Sequence, residues 1–315
     1  MISLASKAIQ TVNGRPPAVR SCGHSDFRDV AHHSCLGTII NSSVGGSSRM
    51  PSGYESAVQL VLPYYGLFGY SIGRQSWLID PTKILLIQPG WEFTDEQPVE
   101  GLGHASLLVN PAEFIVNEIL GARFVAGNGG SPFGAAQSCP EIWLLTHRFL
   151  AVSREGIATL EADELLIRLM ELAANRPKTK SRPSTQTVAR AKEFLHAYGS
   201  ERIPLEQIAN AVGVSPVYLT QEFTRSEGVP LYQYQVNLRL VRSLQELRNC
   251  DDITQLALEL GFSSHSHFSA RFRQIFGLSP SEYRRNARSP RVSISIASFS
   301  RAKLDRRQFY PARLG

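Results

Sequence analysis

The sequence predicts an α+β protein of more than one domain, with a β-rich N-terminal part and an all-α C-terminal part. Three observations support this class. Short β-type runs bounded by proline and glycine occupy residues 54–110, a polar stretch with two prolines lies near residue 180, and a helical pattern repeats within residues 205–283. A chain of 315 residues is long enough to bury a separate core in each part.

The N-terminal part is predicted to be a small barrel or sandwich that occupies residues 51–174. Its strands are expected at Ala57–Leu62, Leu67–Ile72, Ser76–Ile79, Lys83–Gln88 and His104–Val109. Two helices are expected to follow, at about Glu141–Val152 and Glu161–Ala174, and their apolar stripes either pack on the sheet or form a dimer seam. Residues 1–50 are rich in serine and glycine without a sustained period, so they are predicted to be largely disordered.

Charge divides the chain as sharply as secondary structure does. The net charge is +3 over residues 1–50, −8 over residues 51–174 and +11 over residues 175–315. The positive part comprises a basic linker (175–184), a helical domain (185–285) and a basic tail (286–315) that is expected to be mostly disordered. Positive charge gathered at one end favours a polyanionic partner, because lysine and arginine bind a phosphate backbone of any sequence. A solvated basic tail is the alternative.

The repeat within the helical domain consists of Leu205–Tyr234 and Ile253–Tyr283, which align at a shift of 48 and then of 49 residues. Each copy fits a helix-turn-helix unit, with a small residue where the helices cross, a glycine that ends the first helix and a serine that caps the second. These residues are Ala209, Gly213 and Ser215 in the first copy, and Ala257, Gly261 and Ser263 in the second. One added residue is expected in the second turn or at the start of the helix that follows.

A continuous helical pattern over Leu231–Arg248 connects the two copies and would extend about 27 Å. Recognition helices that enter successive major-groove segments on one face of DNA lie about 34 Å apart, so a rigid connector of this order suits such a protein. A helical repeat without a role in DNA binding is the alternative.

The stretch from about Val188 to Arg285 resembles the DNA-binding domain of the AraC/XylS family of bacterial transcription regulators. The motifs that carry the resemblance are Gln207–Pro216, Arg239–Arg242, Ala257–Ser264, Phe268–Arg273, Phe276–Pro280 and Tyr283–Arg284. The resemblance implies sequence-specific binding to double-stranded promoter DNA. It also implies activation or repression of transcription, usually through contact with RNA polymerase.

The same resemblance, carried over position by position, assigns residues that face DNA. Base-facing positions are Val217, Thr220 and Gln221 in the first unit, and His265, Ser266, Ser269 and Ala270 in the second. Many family members carry arginine where this chain has Ala270, whereas here the arginine is Arg271. A step of one residue turns a side chain by about 100° around a helix, so Arg271 is predicted to contact phosphate. The predicted phosphate contacts are Arg239, Arg242, Arg271 and Arg273.

Upstream, the stretch Gly66–Pro81 together with Pro89–Trp91 is similar to the cupin-like β-barrel that often precedes this DNA-binding domain. That similarity implies a sensor or dimerisation role for the N-terminal part. The candidate effector-pocket residues are Tyr70, Trp77, Trp91 and Phe93. Aromatic side chains on short strands serve equally well as core, which is the alternative for each of them.

Enzymatic and metal-dependent roles are not expected, and no cofactor is predicted. A metal-dependent cupin would need a cluster such as two nearby histidines with a carboxylate, whereas residues 51–174 contain only His104 and His147, 43 residues apart. A rival zinc site would combine Cys22, His24, His32, His33 and Cys35, but their spacing is irregular. The scattered cysteines and the lack of a signal-like or membrane-spanning stretch favour a cytoplasmic location. A binding protein without regulatory output remains as a competing class.

Overall fold

The structure is a computed structural model that describes residues 27–45, 52–54, 57–72, 75–90, 92–99, 101–121, 135–153, 159–176, 185–198 and 202–288. Most of the predicted linker, residues 177–184, and the tail beyond residue 288 lie outside this part. The predicted boundaries of the N-terminal domain, the linker and the tail therefore stay predictions.

The N-terminal part is built of antiparallel strands. They are β1 (Phe27–Ser34), β2 (Gly37–Val44), β3 (Ser52–Tyr54), β4 (Gln59–Tyr65), β5 (Phe68–Ile72), β6 (Gln75–Ile79), β7 (Lys83–Ile87), β8 (Glu92–Glu96), β9 (His104–Pro111) and β10 (Ala135–Gln137). One sheet has the order β1-β2-β9-β4-β7-β10, and the other has the order β3-β8-β5-β6. The described strands pair as two sheets and not as one closed barrel, so the cupin-like barrel is not confirmed.

The larger sheet is covered on both faces, which explains the unbroken apolar run of β7. On one face, Val61 and Leu85 share an apolar cluster with Phe68 and Ile79 of the smaller sheet. The other face packs against helices that follow β9 along the chain. Strands that are buried on both sides carry apolar residues at successive positions, because neither face needs to be compatible with water.

The helices on the outer face are α1 (Glu113–Leu120), α2 (Pro140–Ser153) and α3 (Thr159–Ala174). Phe149 of α2 and Leu165 and Leu169 of α3 lie in one core with Leu60 and Leu107 of the sheet. Of the two alternatives that the sequence left open for these stripes, the structure shows packing on the sheet.

The prediction of disorder before residue 51 is wrong for residues 27–44. Strands β1 and β2 form a hairpin there, and β2 pairs with β9 from Gly37 opposite Pro111 to Val44 opposite His104. The hairpin is rich in serine, histidine and asparagine, so its composition resembles that of a loop. Its order comes from the backbone ladder along β9 and from Ile39, which is fully buried. Gly37 is needed because a Cβ would lie 2.4 Å from the carbonyl oxygen of Asn110.

The C-terminal part is helical, as the repeat predicts. Its helices are α4 (Gln186–Tyr198), α5 (Leu205–Val212), α6 (Pro216–Glu227), α7 (Leu231–Glu246), α8 (Ile253–Glu259), α9 (His265–Phe276) and α10 (Pro280–Arg288). Helices α5 and α6 form the first helix-turn-helix, here called unit 1, and α8 and α9 form the second, unit 2. The connector is α7, which at 16 residues extends about 24 Å and ends two residues before the predicted limit.

Each unit has its own core, and α7 contributes to both. Leu219 and Phe223 of α6 are buried with Tyr234 at the start of α7. Phe268 and Phe272 of α9 are buried with residues from the second half of α7. The second helix of each unit, α6 or α9, therefore closes the core of that unit with its inward face.

The added residue of the second copy lies in its turn. Gly213 and Gly261 both have positive φ, +77° and +76°, as expected for glycines that end a helix. In unit 1 the amide of Tyr218 donates to Ser215 Oγ at 3.2 Å. In unit 2 the cap is Ser264, whose hydroxyl accepts from the amide of His267 at 3.1 Å, so the prediction of Ser263 as the cap is wrong by one residue.

This correction can be tested by removing each hydroxyl. Ser264→Ala is expected to lower the free energy of unfolding by about 1 kcal/mol, because the first turn of α9 loses its capping acceptor. Ser263→Ala is the control, since its hydroxyl makes only an exposed side-chain contact with His267. Urea denaturation of both variants would measure the difference, and an equal or larger loss for Ser263→Ala would contradict the assignment.

Candidate nucleic-acid interface and ligand pocket

The outward face of α6 in unit 1 is neutral and partly apolar. Val217 is 67% exposed and Gln221 is exposed, while Thr220 is half-buried and donates its hydroxyl to the carbonyl oxygen of Pro216 at 2.9 Å. Tyr218, which the sequence reasoning did not select, is 48% exposed at the start of the same helix. Gln221 thus has an exposed amide with both a donor and an acceptor, the pattern that pairs with adenine in the major groove.

The outward face of α9 in unit 2 carries the predicted polar residues. His265, Ser266 and Ala270 are exposed, and Ser269 is half-buried. The ring Nε2 of His265 lies 3.3 Å from Ser269 Oγ, so these two side chains form one hydrogen-bonding group one turn apart. Since imidazole and hydroxyl can each donate or accept, this pair can adapt to more than one base edge.

The four predicted phosphate contacts differ in accessibility. Arg273 has a side chain that is 67% exposed, with Nη2 3.6 Å from Glu282 Oε2. Arg271 is half-buried and donates to Gln274 Oε1 at 3.0 Å on the surface. Arg242 pairs with Glu246 one turn further along α7, at 2.5 Å. These three stay predicted phosphate contacts.

Arg239 does not have the environment that its prediction requires. It is only 9% exposed, and its Nη1 donates to the carbonyl oxygen of Gly261 at 3.1 Å. Its position on α7 directs the guanidinium toward the turn of unit 2, where it holds the C-terminal end of α8. We therefore interpret Arg239 as a structural contact between the connector and unit 2, and not as a phosphate contact.

A cavity of about 90 Å³ lies between the two sheets and contains two of the predicted effector-pocket residues. Tyr70 and Phe93 line it with their rings stacked 5.3 Å apart. Trp77 is buried in the adjoining apolar cluster, and Trp91 lies outside the described residues. This cavity is called the sheet pocket below.

Three polar residues in the sheet pocket were missed by the sequence reasoning. Asp95, His104 and Ser106 are all buried, and Asp95 Oδ1, His104 Nδ1 and Ser106 Oγ have no hydrogen-bond partner. Asp95 lies on β8 of the smaller sheet, whereas His104 and Ser106 lie on β9 of the larger sheet. The two strands are not paired, and these residues come together only at the cavity between the sheets. Since buried polar atoms are nearly always paired, this concentration indicates a place for a hydrogen-bonding molecule. No pattern in the sequence joins Asp95 to His104.

The two buried acid–base groups of the sheet pocket, Asp95 and His104, are uncharged near neutral pH, whereas Arg28, which also lines the pocket, is exposed. Burial raises the pKa of the Asp95 carboxyl to about 8, and burial lowers the pKa of the His104 imidazole to about 4. Their closest atoms, His104 Nε2 and Asp95 Oδ2, are 3.7 Å apart, which is too long for a hydrogen bond. Because burial penalises each charge, both side chains are neutral and form no ion pair at this distance.

The rival zinc site gains no support from the residues that the structure describes. Cys22 and His24 lie outside them. The Nε2 of His32 lies 2.8 Å from Asp163 Oδ1, and the Nδ1 of His33 lies 2.8 Å from Thr38 Oγ1, so both rings have other partners. Across the described ranges no group of three potential ligands is arranged for a metal ion.

None of the helices in the described part of the chain has the length and the hydropathy of a membrane span.

The structure contains two helix-turn-helix units that are joined by one helix, and each has an exposed recognition face. This arrangement is that of a DNA-binding protein with two recognition helices. Comparison with known proteins agrees, because residues 208–286 match a family model described as a helix-turn-helix domain. The chain is 29% identical over 267 residues to the HTH-type transcriptional activator RhaS of Escherichia fergusonii, covering 77% of this chain and 92% of that protein. The chain is an AraC-type helix-turn-helix transcription regulator, and the predicted resemblance to AraC/XylS-family regulators is confirmed.

The chain is also similar to another regulator and to solved structures. The regulatory protein PocR of Salmonella typhimurium is 30% identical over 112 residues, covering 35% of this chain and 37% of that protein. A solved AraC-type transcriptional regulator from Chromobacterium violaceum is 33% identical over 33% of this chain and 94% of its own, with a TM-score of 0.31. ToxT of Vibrio cholerae O395 is 14% identical over 78% of this chain and 96% of its own, also with a TM-score of 0.31.

The charge state of the sheet pocket can be tested through the pH dependence of stability. The folded chain holds the Asp95 proton up to about pH 8, whereas the ordinary pKa of aspartate is 3.8. Because the pKa of Asp95 is higher in the folded chain than in the unfolded chain, the contribution of this carboxyl to the free energy of unfolding is fully present below pH 4. This contribution is lost as the pH rises to 8. Asp95→Asn should therefore gain stability relative to the natural chain by about 1.4 kcal/mol per pH unit across this window.

Thermal unfolding between pH 4 and pH 8 would measure this effect. Asp29→Asn on β1 is the matched control, because Asp29 is exposed on a strand of the same region. A difference between Asp95→Asn and the natural chain that does not change with pH would contradict the neutral carboxyl.

Proposed function

We propose that this regulator binds promoter DNA with α6 and α9 in successive major-groove segments, and controls transcription there through contact with RNA polymerase. The observation that carries the proposal is the division of each recognition helix into two faces. One face closes the core of its unit through residues such as Phe223 and Phe272, and the other is accessible. Each unit therefore presents one helix face that is free to enter the major groove.

Base reading in this proposal relies on neutral side chains. Val217 and Gln221 act from unit 1, and His265, Ser266 and Ser269 act from unit 2, with Thr220 and Ala270 as the smaller neighbours at the DNA surface. Apolar contact suits the methyl group of thymine, while Gln221 suits an adenine edge. Arg242, Arg271 and Arg273 supply attraction to phosphate, which is independent of sequence.

The general proposal is tested by selecting binding sites from random DNA with the full chain, followed by mapping of bound promoters and transcript levels in cells with and without the gene. We expect two conserved submotifs in the selected DNA, and transcripts that change at the bound promoters. Binding without sequence preference at moderate salt would contradict DNA reading. Sequence-specific binding without any change of transcripts would favour the competing class, a binding protein without regulatory output.

Two substitutions separate the roles of base and phosphate contacts. Gln221→Ala should weaken binding by about 1–3 kcal/mol at one base position and relax the preference there. Arg271→Ala should weaken binding to all sequences and reduce the slope of log K against log salt by about 0.9, because one phosphate contact is lost. Fluorescence anisotropy with selected and scrambled duplexes at several salt concentrations measures both effects.

Matched controls lie on surfaces that the proposal keeps away from DNA. Gln255→Ala on α8 removes a glutamine that bonds to Glu259, and Arg168→Ala on α3 removes an arginine that pairs with Glu171. An unchanged salt slope for Arg271→Ala, or uniform weakening by Gln221→Ala, would contradict the assignment.

We further propose that the N-terminal part senses a small effector in the sheet pocket. The support is the set of buried unpaired atoms on Asp95, His104 and Ser106, facing the aromatic pair Tyr70 and Phe93. Because Asp95 and His104 are neutral, and the charged lining residue Arg28 is exposed, the buried part of the pocket suits an uncharged molecule with several hydrogen-bonding groups. A homodimer built on the apolar stripes of α2 and α3 is not part of this proposal, since those stripes are buried in one chain. The regulator would act in the cytoplasm, where it meets promoter DNA.

Filling the sheet pocket should abolish effector binding without loss of the fold. Ser106→Val replaces an unpaired hydroxyl by two methyl groups, and Ser76→Val on the exposed side of β6 is the matched control. In a thermal-shift screen of uncharged hydroxyl- and amide-bearing compounds, a compound at 100 times its Kd stabilises by about 2.7 kcal/mol. We expect that gain in the natural chain and in Ser76→Val but not in Ser106→Val, and an equal gain in all three would place the ligand elsewhere.

A further inference from the structure

The N-terminal part contacts both helix-turn-helix units, and the contact with unit 1 consists of buried charges. Asp80 and Lys83, at the two ends of the turn between β6 and β7, meet Lys192 of α4 and Glu227, the last residue of α6. Lys192 Nζ lies 2.6 Å from Asp80 Oδ2, and Lys83 Nζ lies 2.9 Å from Glu227 Oε2. These four residues, called the charge cluster here, are all buried.

The charge cluster contains equal numbers of positive and negative groups, and hydrogen bonds join its members. Lys192 Nζ is also 3.5 Å from Glu227 Oε2, and Tyr234 at the start of α7 donates its hydroxyl to Asp80 Oδ2 at 3.0 Å. Burial alone would raise the pKa of the Asp80 carboxyl, but the positive charges of Lys192 and Lys83 hold it well below its usual range. Two carboxylates thus face two ammonium groups, and any displacement of unit 1 from the sheets would separate buried opposite charges.

The end of the first recognition helix is held by its backbone as well. Gln137 of β10 donates its side-chain amide to the carbonyl oxygen of Glu227 at 2.7 Å. The C-terminal end of α6 is therefore fixed to the N-terminal part through both its last side chain and its last carbonyl group.

The contact with unit 2 is made by Trp143 of α2. Its ring is 4% exposed and belongs to the core of unit 2, edge-on to Phe276 at 6.4 Å. Its indole Nε1 donates to the carbonyl oxygen of Pro81 at 2.6 Å. Pro81 lies between Asp80 and Lys83. This four-residue turn therefore contacts the helical half through its charged side chains, and its backbone holds Trp143, which packs into the core of unit 2.

The turn itself is rigid enough to serve as such a junction. The backbone amide and the hydroxyl of Thr82 both donate to Asp80 Oδ1, at 2.7 and 2.6 Å, and the amide of Lys83 donates to the carbonyl oxygen of Asp80. The carbonyl oxygen of Thr82 accepts from the amide of Ser138, which ties the turn to the segment that leads into α2.

We propose that the turn Asp80–Lys83 is a brace that fixes the two recognition helices relative to each other, and so sets the spacing of the two DNA segments they read. The proposal rests on the proposed reading of DNA by both units. Helix α7 alone joins the units at one place, and helices of this length bend under load. The brace adds a second connection, through the N-terminal part, that closes the assembly. Without it, the angle between α6 and α9 would vary with the bending of α7.

The experiment measures spacing tolerance with the full chain on duplexes selected by the natural chain. One base pair inserted or deleted between the two submotifs shifts one of them by about 3.4 Å and about 35° around the helix axis. The natural chain is expected to lose at least about tenfold in affinity for each altered spacer. Two brace variants are expected to lose less than about threefold, with unchanged base preference inside each submotif.

The first brace variant combines Lys83→Met with Glu227→Gln, which removes one charge of each sign and leaves the pair Asp80 and Lys192 balanced. The second is Trp143→Phe, which keeps an aromatic ring packed against the core of unit 2 but removes the hydrogen bond to Pro81, so it remains informative where the double variant fails to fold. The control combines Arg148→Met with Glu161→Gln, an ion pair of 2.6 Å within the N-terminal part. It should keep the spacing preference of the natural chain.

The outcomes separate the two proposals. Brace variants that discriminate spacers as the natural chain does, or that lose affinity equally for all spacers, overturn the brace. A natural chain that reads both submotifs without spacing preference also overturns the brace, while the proposed function stands. A natural chain that selects no sequence overturns the proposed function, and the brace with it.

Discussion

Opposite charges that are buried together must stay within a few ångströms of one another, and this constraint governs how the sheets meet the helices of this protein. The desolvation cost of Asp80, Lys83, Lys192 and Glu227 is offset only while all four groups remain in contact. A purely apolar interface would bind as strongly, but it would allow the helices to slide along the sheets. The charge cluster permits a single arrangement, and the position of α6 follows from it.

The DNA-binding half was largely predictable because its information is local and repeated. Glycine at the helix ends, small residues at the crossings and aromatic residues at helical spacing each specify geometry within a few residues, and two copies check one another. Where the second copy has one added residue, the predicted cap was wrong by one position. Ser263 and Ser264 are equally good caps by type, and only the backbone conformation of the longer turn selects Ser264.

The N-terminal half was less predictable because its information is distant in sequence. Strands β1 and β2 have the composition of a loop and are ordered by β9, which lies about 65 residues downstream. The polar residues of the sheet pocket come from separate strands, and burial alone makes Asp95 unusual. Arg239 shows the same limit within the helical half. Its type suggested phosphate, whereas its environment was decided by Gly261, on another helix end.

Trp143 has a consequence for how such regulators can exchange parts. A tryptophan from α2 completes the core of unit 2, and the C-terminal half without it would contain an apolar notch beside Phe276. The same half would also expose Lys192 and Glu227, side chains shaped for partners on the sheets. Joining this DNA-binding half to a foreign sensor by recombination would therefore require matched substitutions on both sides of the junction. The two halves of this chain fit one another through buried contacts that a simple exchange of either half would break.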